Sequence, residues 1–327
     1  MRRRRRPDTV WLALLGLLVG GCSVLSIDLS PRIRPLEEQT VEGRGADKIL
    51  LMDISGMLSD EGITPILNLG TPPPRVPLLV RVREELKKAT DDGRVRALIV
   101  RINSPGGTVT VSDIVYREIL TFKERRRVPV VAVMMDLAAS GGYYVALAAD
   151  TIVAHPTTVT GSIGTIMLTV NAEGLMQKLG VATTAVKSAE HKDMGSPFRA
   201  LTPDERAIFQ SVIDDLQRQF VAKVILHRKL VPDLARKLAD GRVYTADQAL
   251  AHGLVDRIGY MGDAVALARK AAGLEEARVI VYHRPRQYRA TYYARAEDTP
   301  VAGAEGSLSQ MAALATSGPR FLYLWWP

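Results

Sequence analysis

Short apolar runs alternate with stretches of helical periodicity through the middle of the chain. Strands are predicted where a short apolar run is bounded by turn residues, over residues 48–54, 96–102, 129–134, 151–154 and 279–282. Helices are predicted where apolar residues recur every three or four positions, over residues 78–90, 111–125, 141–149, 203–240, 246–251 and 262–272. Strands that alternate with helices favour βαβ units, so we expect an α/β fold with a parallel sheet core flanked by helices.

Three stretches of the chain lack this alternation, namely residues 22–46, residues 62–77 and the residues beyond 284. Residues 22–46 are polar and contain proline, which predicts a tether, and residues 62–77 contain three consecutive prolines, which predict a loop. Beyond residue 284 the pattern ends, apart from an apolar stretch at residues 321–326. A folded domain is therefore expected over residues 47–283, followed by a C-terminal extension over residues 284–327.

The N-terminus has the features of an export signal. Five arginines (Arg2–Arg6) precede an apolar segment at residues 10–19, which is too short to cross a bilayer and has the length of a signal-peptide core. The Val19-Gly-Gly-Cys22 ending resembles a bacterial lipobox, in which the cysteine is lipidated after residues 1–21 are removed. An ordinary signal peptide or an uncleaved anchor is the alternative. Each interpretation places the folded part at the bacterial cell envelope, outside the cytoplasm and tethered to a membrane.

Composition argues against several other classes of protein. Half of the formal net charge of +8 lies in residues 1–21, and the remainder is interleaved with acidic residues, so we expect no nucleic-acid partner. Cys22 is the only cysteine, which excludes an intrachain disulfide. The five histidines are scattered without metal-ligand spacing, so neither a metal nor another cofactor is expected.

Three segments carry candidate chemistry. Asn103-Ser-Pro-Gly-Gly107 could direct backbone N–H groups into a cleft, as an oxyanion hole requires, although a tight turn would also explain the glycines. Ala138-Ala-Ser140-Gly-Gly-Tyr-Tyr144 places a serine among small residues where a helix begins, and this serine could instead be a simple N-cap. Lys192 lies in a polar loop, where a lysine is usually a solvated charge.

Together these segments resemble the signal peptide peptidase A family of serine proteases, whose short form has a Clp/crotonase-like fold. The matching motifs are Ile102-Asn-Ser-Pro-Gly-Gly107, Ala139-Ser-Gly-Gly-Tyr-Tyr144, Thr160-Gly-Ser-Ile-Gly164, His191-Lys-Asp-Met-Gly-Ser-Pro197 and Asp240-Gly-Arg-Val-Tyr244. They follow the family's order over about residues 47–282. The specificity of the resemblance comes from five ordered motifs rather than from any one of them.

The resemblance implies a role for each matching residue. Ser140 would be the nucleophile and Lys192 its general base, while Gly107 and Gly141 would supply N–H groups to the oxyanion and Ser162 would orient Lys192. A lysine has an ordinary pKa near 10.4, so a lysine base must be desolvated to become neutral. Asp193 would oppose this change if it faced Lys192, and we therefore expect its carboxylate to point away.

Other arrangements explain fewer of these residues. A Ser-His-Asp triad would need a histidine about two dozen residues after Ser140, and His155 and His191 lie elsewhere. An acyl-CoA enzyme would use only the glycine oxyanion hole and would leave Ser140 and Lys192 unexplained. A catalytically silent membrane-tethered scaffold that binds peptides is the alternative from another functional class.

The resemblance also implies substrates and assembly. Substrates would be remnant signal peptides and other short apolar peptides with small or aliphatic side chains beside the cut. The short form of the family assembles into homo-oligomers in which a neighbouring subunit can supply the lysine. For the apolar tail at residues 321–326, one hypothesis is that it occupies a peptide-binding groove; packing on the domain's own surface and contact with lipid are the alternatives.

Overall fold

A computed structural model describes residues 35–60, 76–285, 289–294 and 320–325. Its strands are β1 Glu37–Gly43, β2 Lys48–Ser55, β3 Val95–Ser104, β4 Gly106–Thr108, β5 Val130–Ala139, β6 Thr151–Ala154, β7 Val159–Gly161, β8 Ile166–Leu168, β9 Val243–Thr245, β10 Arg257–Ile258, β11 Arg278–His283 and β12 Arg320–Leu324. Its α-helices are α1 Leu78–Asp91, α2 Val109–Arg126, α3 Gly141–Ala146, α4 Glu173–Lys178, α5 Pro203–Arg228, α6 Pro232–Leu238, α7 Ala246–Ala251 and α8 Met261–Ala271, and a 3-10 turn spans Glu190–Asp193.

The main sheet is parallel at its centre, as the alternation of strands and helices predicts. In the described part of the chain its strand order is β1-β11-β2-β3-β5-β6-β10, and β7 joins through β5 and carries β9 at its other edge. The pairs β2–β3, β3–β5 and β5–β6 are all parallel. Strands β3 and β5 therefore run side by side and end at the same edge of the sheet, where the glycine loop and Ser140 follow them.

Both faces of the central strands are covered by helices. Along β2, Leu50 and Met52 pack into a core that includes residues of α1 and α2, whereas Ile49 and Leu51 pack into a second core with residues of α8. This division follows from the two-residue period of a strand, which sends successive side chains to opposite faces. Because both faces are buried, the strands are continuous apolar runs rather than alternating ones.

Most of the predicted elements are confirmed, but several differ in extent. Strand β5 continues beyond residue 134 to Ala139, and helix α3 ends at Ala146 instead of residue 149, so it is only six residues long. The predicted long helix over 203–240 is wrong as a single element, because Lys229 adopts a left-handed conformation with φ 52° and Pro232 then begins α6. Thr202 caps the start of α5, where Thr202 and Glu205 form a reciprocal capping box.

The interpretation of residues 22–46 as a tether is wrong for their last part. Strand β1 pairs antiparallel with β11 along the sheet edge, so Glu37–Gly43 belongs to the folded domain. Polar residues at this position are compatible with a strand because an edge strand exposes much of its surface. The predicted signal segment over residues 1–21, the predicted lipidation site Cys22 and most of the predicted 62–77 loop lie outside the described residues.

The C-terminal extension also contributes to the folded domain. Strand β12 lies between β4 and β8 and pairs antiparallel with both, which forms a small second sheet beside the end of β3. Within the ranges described above, no helix is both long and apolar enough to cross a membrane.

Candidate active site

Ser140 occupies a strained turn between β5 and α3. Its backbone adopts φ 51° and ψ −113°, a conformation that residues other than glycine rarely adopt and that is concentrated at functional sites. The turn is held by a hydrogen bond from Ser140 N–H to the Gly161 carbonyl at 2.8 Å. The Ser140 hydroxyl donates to the Gly164 carbonyl at 3.4 Å, and the residue is fully buried.

The glycine loop that follows β3 lies beside this turn. Ser104 pairs with Ala138 in the β3–β5 register, and its hydroxyl donates to the Gly56 carbonyl at 2.6 Å and accepts from Gly106 N–H at 3.1 Å. Gly106 has φ 100°, which a side chain would disfavour. The loop is therefore fixed by backbone contacts that leave no room for a side chain.

The amide of Gly107 is directed toward the site. Leu58 N–H donates to the Gly106 carbonyl at 2.8 Å, and Thr108 N–H donates to the Leu58 carbonyl at 2.9 Å. Since neighbouring residues of a strand direct their backbone groups to opposite edges, the N–H of Gly107 faces away from Leu58. It faces β12, where Tyr323 is its register partner.

Gly141 lies against the same loop. A Cβ built on Gly106 would lie 2.7 Å from the Gly141 nitrogen, so the two backbones are in close contact. The structure thus brings Ser140, Gly107 and Gly141 into one cluster, which is the arrangement expected for a nucleophile beside two oxyanion donors.

Ser162 lies at the end of β7, next to the strand that carries Ser140. It adopts φ 47°, is almost fully buried, and its N–H donates to the Arg242 carbonyl at 2.8 Å. Ala139 pairs with Gly161 in the parallel β5–β7 register, and Ser140 and Ser162 are the residues that follow this pair. Its predicted role of orienting Lys192 has no hydrogen bond to support it among the described residues.

Lys192 is not brought to Ser140 within the single chain. It lies in the 3-10 turn Glu190–Asp193, where its side chain is exposed. In the described part of the chain its ammonium group forms neither an ion pair nor a hydrogen bond. The predicted dyad therefore stays a prediction, with its serine buried and its lysine in solvent.

Asp193, the neighbour of Lys192, forms ion pairs with other residues. The Asp193 carboxylate accepts hydrogen bonds from Lys187 at 2.7 Å and from Arg199 at 2.9 Å. The hydrogen bond from Arg199 and, to a smaller extent, that from Lys187 lower the pKa of Asp193 far below its ordinary value. Arg199 also pairs with Glu205 at the start of α5. The charge of Asp193 is thus paired with residues other than Lys192.

The histidines do not offer an alternative base. The ring of His155 contacts Thr157 and Tyr260, and His191 lies 3.6 Å from Asp204. His227 contacts a tyrosine hydroxyl, the ring of His252 contacts a tyrosine ring, and His283 contacts a backbone carbonyl. Among the residues that the structure describes, no histidine is hydrogen-bonded to Ser140.

Sequence reasoning missed an aromatic cluster at the site. Tyr144 follows the Ser140 turn, and its ring stacks on Tyr323 at 5.3 Å and contacts Phe220 edge-on at 5.0 Å. Its hydroxyl donates to Asp113 at 2.6 Å. The Tyr-Tyr pair after Ser140 was visible in the sequence, but its partners lie about 80 and 180 residues away and no local pattern connects them.

Comparison with known proteins shows the family of the chain. The model of peptidase family S49 matches residues 123–275. A putative protease from Synechocystis is 42% identical over 59% of this chain and 69% of its own length. The chain belongs to peptidase family S49. A putative signal peptide peptidase SppA from Enterococcus faecium is 34% identical over 75% of this chain and 70% of its own length.

Solved structures resemble the fold at low sequence identity. A point mutant of ClpP1 from Listeria monocytogenes has a TM-score of 0.41 and 16% identity, over 66% of this chain and 94% of that one. A point mutant of the 1510-N membrane-bound stomatin-specific protease has a TM-score of 0.43 and 13% identity, over 68% of this chain and 85% of that one. The chain is an α/β serine peptidase of family S49, with a mostly parallel sheet.

Proposed function

We propose that this S49 peptidase is a membrane-tethered endopeptidase in which Ser140 is the nucleophile and Lys192 the general base. The observation that carries the proposal is the strained turn of Ser140, which lies against the Gly106-Gly107 loop and Gly141. Backbone strain of this kind costs stability and is concentrated at active sites, which supports the assignment of Ser140 as the nucleophile.

The proposed reaction proceeds through an acyl-enzyme. Ser140 Oγ attacks the scissile carbonyl, and its proton passes to the neutral amine of Lys192. The oxyanion that forms accepts hydrogen bonds from the N–H groups of Gly107 and Gly141. Collapse breaks the C–N bond as the lysine returns the proton to the leaving amine. Water then attacks the ester, with Lys192 again taking and returning a proton, and Ser140 is regenerated.

This scheme requires a covering surface for Lys192. A lysine takes up a proton only in its neutral form, which desolvation favours. Within one chain the lysine is exposed, and so are apolar side chains on the same segment, at Val170, Leu175, Leu179, Val181, Val186 and Phe198. Large apolar side chains are seldom exposed together outside interaction sites, and these six lie within one segment of the chain. We therefore propose a homo-oligomer in which this segment packs on a second copy and Lys192 completes the site of its neighbour.

The proposed substrates are remnant signal peptides and other short apolar peptides, bound in extended form. The edges of β4 and β8 provide backbone groups that an extended peptide can pair with. A relative named a putative signal peptide peptidase agrees with this substrate class. A lipid on Cys22 would hold the enzyme at the extracytoplasmic side of a bacterial membrane, where such peptides are released.

Hydrolysis of apolar peptides by the detergent-purified full chain tests the dyad. Ser140→Ala and Lys192→Ala are both expected to abolish cleavage, whereas Lys178→Ala, which removes an exposed lysine from α4 of the same segment, should retain it. Robust cleavage by Lys192→Ala would show that the assigned base is wrong. No cleavage by the parent protein, with or without its tail, would favour the peptide-binding scaffold.

Mixing the two inactive variants tests whether the dyad is shared. If a neighbour supplies the lysine, co-assembled Ser140→Ala and Lys192→Ala chains contain sites with an intact serine and an intact lysine, and part of the activity returns. If each chain supplies its own lysine, every mixed site lacks one of the two groups and the mixture stays inactive. Capture of an untagged variant by a tagged copy of the other, on the same samples, establishes that the chains have co-assembled.

A further inference from the structure

Strand β5 carries extra residues shortly before Ser140. Its parallel pairing with β3 is regular up to Met134 and resumes at Ala138, and only Asn103 of β3 lies opposite the intervening residues 135–137. These three residues, two more than β3 has there, form a bulge that we call the β5 bulge. Bulges are rare between parallel strands, and they are concentrated beside active sites, where they redirect a side chain. The β5 bulge is thus a candidate for the feature that places Ser140.

The β5 bulge also changes the neighbour of the strand on its other side. Up to Met134, β5 pairs with β6, and from Leu137 onward it pairs with β7. This change of partner brings Ala139 opposite Gly161, and Ser140 N–H then donates to the Gly161 carbonyl at 2.8 Å. The hydrogen bond that holds the strained turn of Ser140 therefore depends on the bulge.

The length of the bulge fixes how far Ser140 lies along the sheet. With uninterrupted pairing, Asp136 rather than Ala138 would lie opposite Ser104. Ser140 would then be displaced by two residues, or about 6.6 Å at a rise of about 3.3 Å per residue, relative to the glycine loop that follows β3. Because the number of extra residues is even, Met134 and Ala138 still face the same core. The bulge shifts the nucleophile along the strand without reversing the faces of the strand.

Two side chains bind the backbone of the bulge. Leu137 N–H donates to Asn103 Oδ1 at 3.1 Å. The Thr158 hydroxyl lies within hydrogen-bond distance of the Met134 and Met135 carbonyls, at 3.0 and 2.5 Å. Thr158 is only 1% exposed, so water cannot replace its hydroxyl without a rearrangement. Backbone groups that leave a strand ladder need other partners, and these two side chains supply them.

We propose that Asn103 and Thr158 are positioning residues for the peptidase reaction. They hold the β5 bulge in its observed form, and the bulge sets Ser140 against the glycine loop and the Gly161 carbonyl. Both side chains act on Ser140 through the backbone of β5, so their removal misaligns the nucleophile without removing a reacting group. The inference rests on the proposed role of Ser140 as the nucleophile.

Substitutions that keep the shape of each side chain but remove its polar group test the two residues in the full chain. Asn103→Leu removes the acceptor for Leu137 N–H, and Thr158→Val removes the shared hydroxyl. Each is expected to lower kcat by about 10²-fold, because a displacement of about 1 Å at the reacting atoms has this effect, while KM changes little. As both side chains act on one bulge, the double variant should lose less than the product of the two single losses.

Conservative variants separate positioning from a general loss of stability. Asn103→Asp keeps an acceptor and Thr158→Ser keeps a hydroxyl, so both should recover most of the parent kcat when each is compared at the plateau of its pH profile. Thr90→Val is the matched control, because it removes a hydroxyl that donates to the Leu86 carbonyl at 2.8 Å in α1, and it should keep the parent kcat. Should Asn103→Leu lack a cooperative melting transition, Asn103→Ser replaces it, since its side chain is too short to reach Leu137.

Amide hydrogen exchange measures the bulge without requiring catalysis. In Asn103→Leu and Thr158→Val, the amides of residues 135–142 should exchange about tenfold faster than in the parent, because the bulge opens more often. The amides of residues 130–134, which lie before the bulge, should keep their protection. Unchanged exchange over residues 135–142, or faster exchange throughout the chain, would overturn the inference.

Peptide cleavage distinguishes a failure of this inference from a failure of the proposed function. Cleavage that depends on Ser140 but keeps its kcat in Asn103→Leu and Thr158→Val refutes the inference alone. Cleavage that survives Ser140→Ala refutes the assigned nucleophile, and with it both the proposed function and a positioning role in the reaction. If the parent cleaves no peptide, the proposed function fails, and faster exchange confined to residues 135–142 still shows that the two side chains hold the turn of Ser140.

Discussion

The ion pair between Asp53 and Arg101 offers a direct test of how the site is supported. Both residues lie near the ends of the central strands β2 and β3, just before the segments that carry Leu58 and the glycine loop. Arg101 Nε donates to Asp53 Oδ1 at 2.8 Å, and the two side chains are 4% and 2% exposed. The guanidinium also donates to the Tyr292 and Ala294 carbonyls, so the pair fastens the start of the C-terminal extension to the sheet.

The magnitude follows from this burial. Removing one member of a buried ion pair leaves the other charge without compensation and typically costs about 3–5 kcal/mol, whereas replacing both with apolar residues is often close to neutral. We expect Asp53→Leu and Arg101→Met each to lower the free energy of unfolding by about 3 kcal/mol or more. The double variant should lose clearly less than the sum of the two single losses.

The pH dependence has a definite sign. Burial raises the pKa of Asp53, but the charge and hydrogen bond of Arg101, with Arg81 and Ser55, outweigh it and leave the pKa below its ordinary value. A carboxyl whose pKa is lowered on folding contributes stability above its unfolded pKa, and this is lost as pH falls through the folded value. The difference between parent and Asp53→Leu should thus be constant down to about pH 4 and shrink only below it.

Urea unfolding followed by circular dichroism measures these free energies. The control is Arg83→Ala, since Arg83 pairs with Glu118 at the surface and such pairs contribute about 1 kcal/mol or less. Single-variant losses below about 1 kcal/mol, or losses that simply add in the double variant, would refute the account of an uncompensated buried charge.

Three further predictions concern the oxyanion loop, a helix cap and a half-buried histidine. Gly107→Ala should lower kcat by about 10²–10³-fold, because its Cβ would clash with the Leu58 backbone and displace the oxyanion donor, while Gly262→Ala, which meets open space, should leave kcat unchanged. Thr202→Ala should cost about 1 kcal/mol of unfolding free energy by urea titration, with a loss near zero arguing against the capping box. Burial, with nearby Lys123, Lys223 and Arg228, lowers the pKa of His227, so folding should weaken as pH falls below about 6.5. His227→Asn should reduce this pH dependence in thermal melts, and an unchanged slope would contradict its assignment to His227.

The central strands were predictable because their information is local. Each is an apolar run of β-branched and aliphatic residues, and strands β2, β3 and β6 lie at or close to the expected positions. The short strands were not predictable on these grounds. Strand β4 is Gly-Gly-Thr and β12 follows a long stretch without periodicity, so each is a strand only because a distant partner pairs with it.

The site was predictable only in part for the same reason. The motifs around Gly107 and Ser140 follow neighbouring parallel strands, whose common direction brings their ends together. Nothing in the local sequence around Lys192 specifies a partner, and the structure leaves the lysine in solvent. The aromatic cluster of Tyr144, Phe220 and Tyr323 depends on contacts between α3, α5 and β12, which sequence spacing does not encode.

In the proposed scheme, folding of one chain prepares the nucleophile but not its activation. The serine turn and the glycine loop are completed by contacts within the chain, whereas Lys192 requires a second surface to cover it. A peptidase with this requirement would be inactive as an isolated chain and would gain a working site only on assembly.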